Sequence, residues 1–503
     1  MAKELKKWQG WLLFGGALVV VFILGLVVSS LLSRRAEVAS IYNNRQVKMT
    51  NSIVSQNEKF AQDFPREYQT WAMTEDTTFE SKYNGSKKVD DLDEHPELVI
   101  MWAGYAFSMD YNTPRGHKHC IEDLREILRT GAPGVPGGKE MQPGTCWTCK
   151  GPDVPRLMRE KHLDPYYSAK WSDWGNEVMN TVGCSDCHDA RTMELHISRP
   201  ALREAFVAMG KDINQATHQE MRSLVCAQCH VEYFFKGKEK HLTFPWNKGL
   251  TLEDAEVYYD SICADTAYYD YKNKISKAPI LKAQHPGYEI FMQGIHGKRG
   301  VSCADCHMPY KSEGGVKFSD HHIMSPLANI DRTCQTCHRQ DAEVLRQNVY
   351  DIQDKVYGYS ARLDRELALA HLQAGYAWEK GATEAEMKDV LIAIRKSQWR
   401  WDYALAGHGA AFHAPQEVMR LLGCSMEYAK DAQVLIARVL AKHGVTDMPS
   451  FDNVLSSKAE AQKYIGHDMP TLVKNKKTFL DTIVPKWLQA AKKKGVYIDE
   501  KEI

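Results

Sequence analysis

The longest apolar run in the chain lies near the N-terminus and extends from Trp11 to Leu32. Basic residues border it on both sides: Lys3, Lys6, Lys7, Arg34 and Arg35. A helix of about 20 apolar residues is long enough to cross a bilayer. We therefore predict an uncleaved anchor, and the alternative is a cleaved signal peptide with a weak small-x-small site at residues 36–39.

The middle of the chain shows only short periodic segments. Residues 36–93 are polar and mixed, without a strong period, and we expect them to cover the surface as helix and loop. Helical patterns follow at Ile121–Leu128 and Pro200–Met209, and a loop rich in Gly and Pro separates the first of these from residue 139. No sheet pattern emerges between them.

After residue 338 the pattern becomes strongly helical. An apolar seam with heptad-like spacing predicts one long helix: Leu345, Val349, Ile352, Val356, Tyr359 and Leu363. Gly381 ends it, and Thr383 to Glu386 has the form of a capping box that opens a second helix. The chain is thus predicted to be mainly α and compact, with little sheet. We divide it into an N-terminal anchor or signal segment (1–35), a central region (36–340) and a long-helix region (341–503).

Composition excludes one class of partner. Lys plus Arg equals Asp plus Glu at 64 each among 503 residues, so the chain carries no net field that would favour nucleic acid. An anionic ligand would have to be attracted by a local patch of charge.

Four C-x-x-C-H motifs dominate the chemistry of the central region. They are Cys184, Cys187 and His188; Cys226, Cys229 and His230; Cys303, Cys306 and His307; and Cys334, Cys337 and His338. Random placement of 13 Cys and 20 His would give about 0.013 such matches. In this motif both thiols attach to a haem and the histidine ligates its iron, so the spacing predicts four c-type haems.

A further motif precedes these four, so it is the first of five along the chain, and it ends in lysine instead of histidine: Cys146-Trp147-Thr148-Cys149-Lys150. Taken alone, C-x-x-C is equally consistent with a zinc half-site or a disulfide. Beside four complete motifs it indicates a fifth haem with Lys150 as axial ligand. A lysine amine binds iron only when it is deprotonated, so burial or the metal must keep it neutral.

Covalent haem attachment takes place outside the cytoplasm, and the five motifs account for ten of the 13 cysteines. With the basic N-terminus inside, we expect the chain on the periplasmic side of the cell envelope. Cys120, Cys263 and Cys424 lie outside every motif, and the sequence does not pair them. An odd number leaves at least one free or paired between chains.

Two further signals are weak by themselves. Glu232 follows the third motif, and Gln284 lies in Leu281-Lys282-Ala283-Gln284-His285-Pro286. Carboxylate, amide and carbonyl oxygens would suit calcium, although unrelated surface residues are the usual explanation of such a pair. Arg129 could fold back onto the Lys150 haem, but arginine in the last turn of a helix is most often solvated.

The sequence resembles the pentahaem cytochrome c nitrite reductases that form ammonium, over nearly the whole chain after the anchor. That family has C-x-x-C-K at its first haem, and further motifs recur in the same order: D-Y-N-x-P-R-G-H, L-R-T-G-A-P, C-H-V-E-Y, L-K-A-Q-H-P, G-I-H-G, S/T-D-H-x-I and H-A-P. The resemblance implies that Arg129, Tyr233 and His285 surround the open face of the Lys150 haem. It also implies a calcium ion held by Glu232, Gln284 and the main-chain oxygens of Tyr233 and Lys282.

The resemblance further assigns a second axial histidine to each of the other four haems. His117 would serve the Cys226/Cys229 haem and His296 the Cys334/Cys337 haem. His321 would serve the Cys184/Cys187 haem and His413 the Cys303/Cys306 haem. His322 could compete with His321, and the register with Asp320 and Ile323 favours His321.

The predicted function is the six-electron reduction of nitrite to ammonium, with electrons from a quinol-oxidising cytochrome c of the membrane or another multihaem donor. The resembling family forms homodimers through long C-terminal helices, and we expect the same here. The rivals are a non-catalytic multihaem electron carrier and a reductase of hydroxylamine or sulfite. Lys150 argues against a simple carrier, because an open haem has no purpose there.

Overall fold

The computed structural model describes residues 6–43, 48–263 and 267–498. Helices dominate it and the strands are short, so the predicted mainly α class with little sheet is confirmed. Lys3, part of the basic N-terminus, lies outside the described residues.

Short helices joined by turns build the region of the five motifs, after one long N-terminal helix. They are α1 (Lys7–Asn43), α2 (Pro65–Ala72), α3 (Asp91–Glu94), α4 (Glu97–Met101), α5 (Cys120–Glu126), α6 (Asp153–Lys161), α7 (Leu163–Ser168), α8 (Cys184–Cys187), α9 (Pro200–Ala208), α10 (His218–Ala227), α11 (Leu252–Ser261), α12 (Gly287–Gln293), α13 (Ile295–Lys298) and α14 (Cys303–His307). Residues Lys7–Arg35 of α1 have a mean hydropathy of 2.8, and among the described residues none buries this apolar stretch. By length and composition this segment can span a membrane, as a signal sequence also could.

Three antiparallel hairpins interrupt the helices. They pair β1 (Phe234–Lys236) with β2 (His241–Thr243), β3 (Tyr271–Lys272) with β4 (Pro279–Ile280), and β5 (Tyr310–Glu313) with β6 (Val316–Ser319). Gly314 and Gly315 form the two-residue turn of the last hairpin, and both have positive φ, which such turns require. That hairpin leads β6 directly to His321.

The C-terminal region contains the long helices. They are α15 (Ala342–Glu379), α16 (Glu384–Leu405), α17 (Ala410–His413), α18 (Pro415–Lys442), α19 (Lys458–Tyr464), α20 (Met469–Thr482) and α21 (Val484–Lys494). The predicted capping box is present, because the Thr383 side chain accepts from Glu386 N and the Glu386 carboxylate accepts from Thr383 N. Gly381 follows α15 with φ +92° and continues no helix.

Two apolar cores hold the chain together. The first packs α15, α16 and α18 against residues 92–103, with Leu363, Leu367 and Val390 fully buried. The second surrounds the first attachment motif, with Trp147 and Trp171 fully buried, and reaches Phe479 of α20. Helices of the C-terminal region therefore contribute to both cores.

Residues 48–93 are more deeply packed than the sequence suggests. Phe60 and Trp71 are buried, and the Trp71 indole donates to Val182 O at 2.9 Å. The Val54 amide donates to the Ser185 hydroxyl at 3.0 Å, inside the second motif. Long-range packing against that motif orders a segment that has no period of its own.

Candidate active site

The first attachment motif is fixed by its tryptophan. Trp147 is fully buried, stacks on Trp171 with ring centroids 5.0 Å apart, and donates its indole N–H to Trp171 O at 2.9 Å. The Lys150 amide in turn donates to Trp147 O at 2.9 Å. These bonds close a turn that holds Cys146, Cys149 and Lys150 in a fixed relation.

Each histidine motif closes one helical turn. The histidine amide donates to the carbonyl of the first cysteine at 2.8 Å in His188, 3.0 Å in His230 and 2.8 Å in His338, and His307 ends α14. Residues four apart share a face of a helix, so each histidine lies on the side of its first cysteine. This is the arrangement that covalent attachment and axial ligation of one haem require.

Three of the four proposed axial pairs face each other across a gap. Ring centroids are 6.3 Å apart for His188 and His321, 6.2 Å for His296 and His338, and 6.2 Å for His307 and His413. Two imidazoles on opposite sides of one metal, each with its nitrogen roughly 2 Å away, have centroids roughly 6 Å apart. The spacing thus fits an iron atom between the rings.

Backbone carbonyls orient three of these rings. The Nδ1 atoms of His188, His307 and His321 donate to Met193 O, Met324 O and Ser319 O at 2.8, 2.9 and 2.8 Å. A ring that donates through Nδ1 keeps its lone pair on Nε2, which is the tautomer that binds metal. The residues therefore fit the haems that the motifs imply, and His321, not His322, stands opposite His188.

The remaining proposed pair is His117 with His230. Desolvation by the surrounding protein, together with the charge of Lys150, lowers the pKa of both rings to about 4. Neutral imidazole is the ligating form. Both rings of this pair therefore favour the ligating form.

The motifs are close to one another in space. The thiols of Cys149 and Cys229 are in contact, and so are those of Cys226 and Cys303. The first, third and fourth motifs therefore form a continuous row.

His285 lies close to the first motif. Lys150, His230 and His408 are within electrostatic range of its imidazole. Burial lowers the pKa of His285 well below its ordinary value, and these neighbours lower it further. The imidazole is consequently neutral at neutral pH.

Tyr233 lies beside the same motif. Burial raises the pKa of its phenol well above the ordinary value, and the strongest electrostatic influences on it come from Cys149, Cys146 and Tyr105. The phenol is therefore a hydrogen-bond donor at neutral pH.

Arg129 is held from one side by aromatic rings. Its guanidinium lies 4.1 Å from the Phe107 ring centroid and 5.8 Å from that of Tyr111, and Nε is 3.8 Å from Asp110 Oδ1. Asp110 Oδ2 accepts from Leu128 N at 2.7 Å, which fixes the turn that carries the arginine. The charge of Arg129 reaches Cys146, so it lies towards the first motif.

The proposed calcium donors come together around a buried carboxylate. Glu232 is 1% exposed and accepts from Gln284 N at 2.7 Å and from the Tyr259 hydroxyl at 2.9 Å. The side-chain amide of Gln284 donates from Nε2 to Lys282 O at 3.0 Å. Burial raises the pKa of Glu232 well above its ordinary value, which shows that the protein alone compensates its charge poorly.

Charge balance also fits a divalent cation here. Asp270 accepts from Lys282 N at 2.8 Å, and the Lys282 ammonium pairs with Asp402 at 2.7 Å. The Lys282 ammonium thus pairs directly with Asp402, while Glu232 and Asp270 accept from main-chain amides and tyrosine hydroxyls. Within the ranges that the structure describes, no group of three or more His, Cys, Asp or Glu side chains forms a metal site. Calcium would therefore need the amide and carbonyl oxygens as well.

Several residues of this region were missed by the sequence reasoning. Asp110 and Tyr111 stand inside a motif that carries the resemblance, so their motif could have indicated a role. Phe107, Asp270 and Asp402 carry no local signal, because only the fold brings them to Arg129 and Lys282.

Comparisons with known proteins agree with this geometry. The cytochrome c552 family model matches residues 56–496. Cytochrome c-552 of Bacteroides thetaiotaomicron is 61% identical over 98% of this chain and 99% of its own length, and that of Porphyromonas gingivalis is 58% identical over 99% of each. The structure is similar to the cytochrome c nitrite reductase of Desulfovibrio desulfuricans, a catalytic subunit with two calcium sites. Their TM-score is 0.73 at 30% identity, over 86% of this chain and 95% of that one.

Proposed function

The chain belongs to the cytochrome c552 family, and we propose that it reduces nitrite to ammonium with six electrons. The observation that carries the proposal is the lysine-ended motif with His285, Tyr233 and Arg129 within electrostatic range of its residues. The balanced reaction consumes nitrite, six electrons and eight protons and yields ammonium and two water molecules. A site for it must bind an anion and supply protons.

Five c-type haems would be held by the five motifs, four of them with the second histidines His117, His296, His321 and His413. Together they would supply electrons and one open iron position at the Lys150 haem. The protein's own contribution is to bind the anion beside that position and to deliver protons to it.

Arg129 and His285 have different parts in this proposal. The guanidinium is charged at every working pH, so it would capture nitrite and stabilise negative charge as N–O bonds break. The pKa of the His285 imidazole is low in the protein alone, and the negative charge of bound nitrite would raise it. His285 would thus gain a proton on binding and pass it to the substrate, with the Tyr233 phenol as a second donor.

Calcium would be bound by Glu232, Gln284 and the main-chain oxygens of Tyr233 and Lys282. Its charge would balance the buried carboxylates and fix the backbone between Tyr233 and His285. The ion would therefore act on the position of the catalytic side chains.

We place the protein on the periplasmic side of the inner membrane, anchored through α1. Electrons would come from a quinol-oxidising cytochrome c of the membrane or another multihaem donor. A homodimer through the C-terminal helices is part of the same proposal.

The test combines spectroscopy with product analysis on the full-length holoprotein. We expect electron paramagnetic resonance to show one high-spin haem among five, and nitrite to change that signal alone. With a reduced dye as donor, we expect one ammonium for each six electrons. A carrier without catalytic function would leave the high-spin signal unchanged by nitrite. Faster turnover of hydroxylamine or sulfite than of nitrite would favour those substrates.

A further inference from the structure

A buried arginine outside the proposed catalytic set links three attachment motifs. Arg199 precedes α9 and its side chain is 1% exposed. Arginine is almost never fully buried unless its charge is paired. A buried arginine at this position therefore requires partners that compensate its charge.

The guanidinium donates hydrogen bonds to backbone carbonyls on both sides of Lys150. Arg199 Nε donates to Thr148 O at 2.8 Å, and Nη2 donates to Gly151 O at 2.9 Å. These carbonyls flank Cys149-Lys150. The two bonds hold the segment that would carry the axial amine.

The same guanidinium pairs with the second motif. Arg199 Nη2 lies 2.6 Å from Asp186 Oδ1, and Asp186 stands between Cys184 and Cys187. The other Asp186 oxygen accepts from Gly183 N at 2.8 Å. The carboxylate therefore cannot turn away from the arginine without losing a bond.

Gln228 of the third motif completes the junction. Its side-chain carbonyl accepts from Arg199 N at 2.9 Å, and its amide donates to Asp186 O at 3.1 Å. One arginine thus ties together the segments that carry three proposed haems.

The ion pair is directional. The guanidinium bonds the backbone of the first motif at Thr148 O and Gly151 O, whereas its partner Asp186 lies inside the second motif, between Cys184 and Cys187. The positive end therefore lies at the first motif and the negative end in the second. Positive charge favours an added electron and negative charge opposes it.

We propose that Arg199 and Asp186 are positioning residues whose ion pair fixes the Lys150 motif against its neighbours and biases electrons from the Cys184/Cys187 haem towards the Lys150 haem. The inference rests on the haem assignment of the proposed function. It does not depend on nitrite as the substrate.

The decisive variant is the double substitution Arg199→Gln/Asp186→Asn, which removes both charges and keeps hydrogen-bonding side chains. In a redox titration of the holoprotein without nitrite, followed by electron paramagnetic resonance, we expect the two midpoint potentials to move in opposite directions. That of the high-spin Lys150 haem falls and that of the Cys184/Cys187 haem rises, with the latter signal assigned from a His321→Met reference. Absence of opposite shifts in a variant with five haems overturns the proposal.

Two further variants separate charge from folding. Arg199→Lys keeps the charge, so its potentials should stay close to wild type, and shifts equal to those of the double variant contradict the electrostatic bias. Asp186→Asn leaves Arg199 its two carbonyl partners and should take up five haems even if the double variant does not. Its Cys184/Cys187 potential should rise, and an unchanged value overturns the proposal.

Arg203→Gln is the matched control, because this arginine of α9 bonds Ile197 O and Asn214 instead. Its potentials should equal those of wild type. Nitrite turnover is measured separately on the same preparations. Opposite shifts without nitrite reduction would refute only the proposed function, and normal nitrite reduction without shifts would refute only this inference.

Discussion

At the scale of single residues, Lys150 takes the place of the histidine found in the other four motifs. The structure shows which contacts fix its backbone. The Lys150 carbonyl accepts from the Cys120 thiol at 3.3 Å, and its amide donates to Trp147 O. Cys120 therefore has a structural partner that the sequence could not assign. The backbone of the proposed ligand is fixed on both sides, which leaves only the side chain to adapt.

Lys150→His tests the proposed ligand. The cysteines remain, so we expect five haems by the pyridine haemochrome assay. Nitrite turnover should fall by about 10- to 100-fold, the effect typical of altered metal surroundings. Lys161→His, on the exposed end of α6, should change neither value. Full turnover in Lys150→His would refute the role of the lysine.

Arg129→Gln tests anion capture. Loss of a charge-assisted hydrogen bond costs about 1.5–3 kcal/mol, so KM for nitrite should rise by about 10- to 100-fold with a smaller change in kcat. Arg129→Lys keeps the charge but loses the flat contact with Phe107, and its KM should be intermediate. An unchanged KM in Arg129→Gln would remove this residue from the binding site.

At the scale of elements, β1 and α12 bring distant residues of the proposed calcium site together. The Glu289 carboxylate of α12 accepts from Glu232 N at 2.9 Å and from the Trp246 indole at 2.7 Å. Glu232 precedes β1 and Gln284 precedes α12, so this contact fixes the two segments side by side. A change in either donor should therefore affect the ion without unfolding the helices.

Glu232→Gln tests the ion itself. The amide cannot supply the negative charge that calcium prefers, so calcium measured by mass spectrometry should be lost and turnover should fall. The bis-histidine haem signals should remain. Glu204→Gln, an exposed pair with His241, should retain calcium. Active wild-type protein without calcium would show that this site is wrongly assigned.

Asp364 of α15 provides a test of stability against pH. It accepts from the Ser360 hydroxyl and from the Trp401 indole of α16, and burial raises its pKa to about 7. The folded state then binds a proton more tightly than the unfolded state, so this stabilisation is present below pH about 4 and is lost as pH rises to about 7. The melting temperature of Asp364→Asn should therefore rise relative to that of wild type as the pH increases from 5 to 8.

Asp354→Asn on the same helix is the control with the opposite sign. The Lys82 ammonium lowers the pKa of Asp354, so its stabilisation is present at neutral pH and is lost on acidification. The variant should therefore lose melting temperature relative to wild type as pH rises. Parallel behaviour of the two variants would contradict the burial argument for Asp364.

Local sequence patterns predicted the helices better than they predicted the long-range contacts between helices and motifs. The apolar seam of α15 and the capping box at Thr383 are both patterns of residues close together in the sequence. The two helices they predict are present. The attachment motifs are local in the same sense. The pairing of His188 with His321 depends on a distance set by the whole fold, so spacing could not choose it and only the resemblance suggested it. Residues 48–93 show the same limit, because their burial comes from contact with the second motif.

At the scale of the molecule, the two cores bind the C-terminal helices to the motif region, and α1 stands apart from both. Gln56 lies soon after α1 and donates to Gly495 O, so both ends of the body meet there. The second motif is tied to the same segment through Ser185. The segment that follows α1 in the sequence is therefore the one that contacts this motif.

Removal of residues 1–35 behind a cleavable signal peptide tests the anchor. The cores do not include α1, so we expect five haems and unchanged nitrite turnover with a soluble dye. The truncated protein should leave the membrane fraction, and quinol-driven turnover in membrane vesicles should fall because donor and acceptor no longer share a surface. The wild-type N-terminus, read by mass spectrometry, decides between the two interpretations of α1. If wild type is soluble and begins after residue 35, α1 is a signal peptide, and the donor must reach the protein by diffusion.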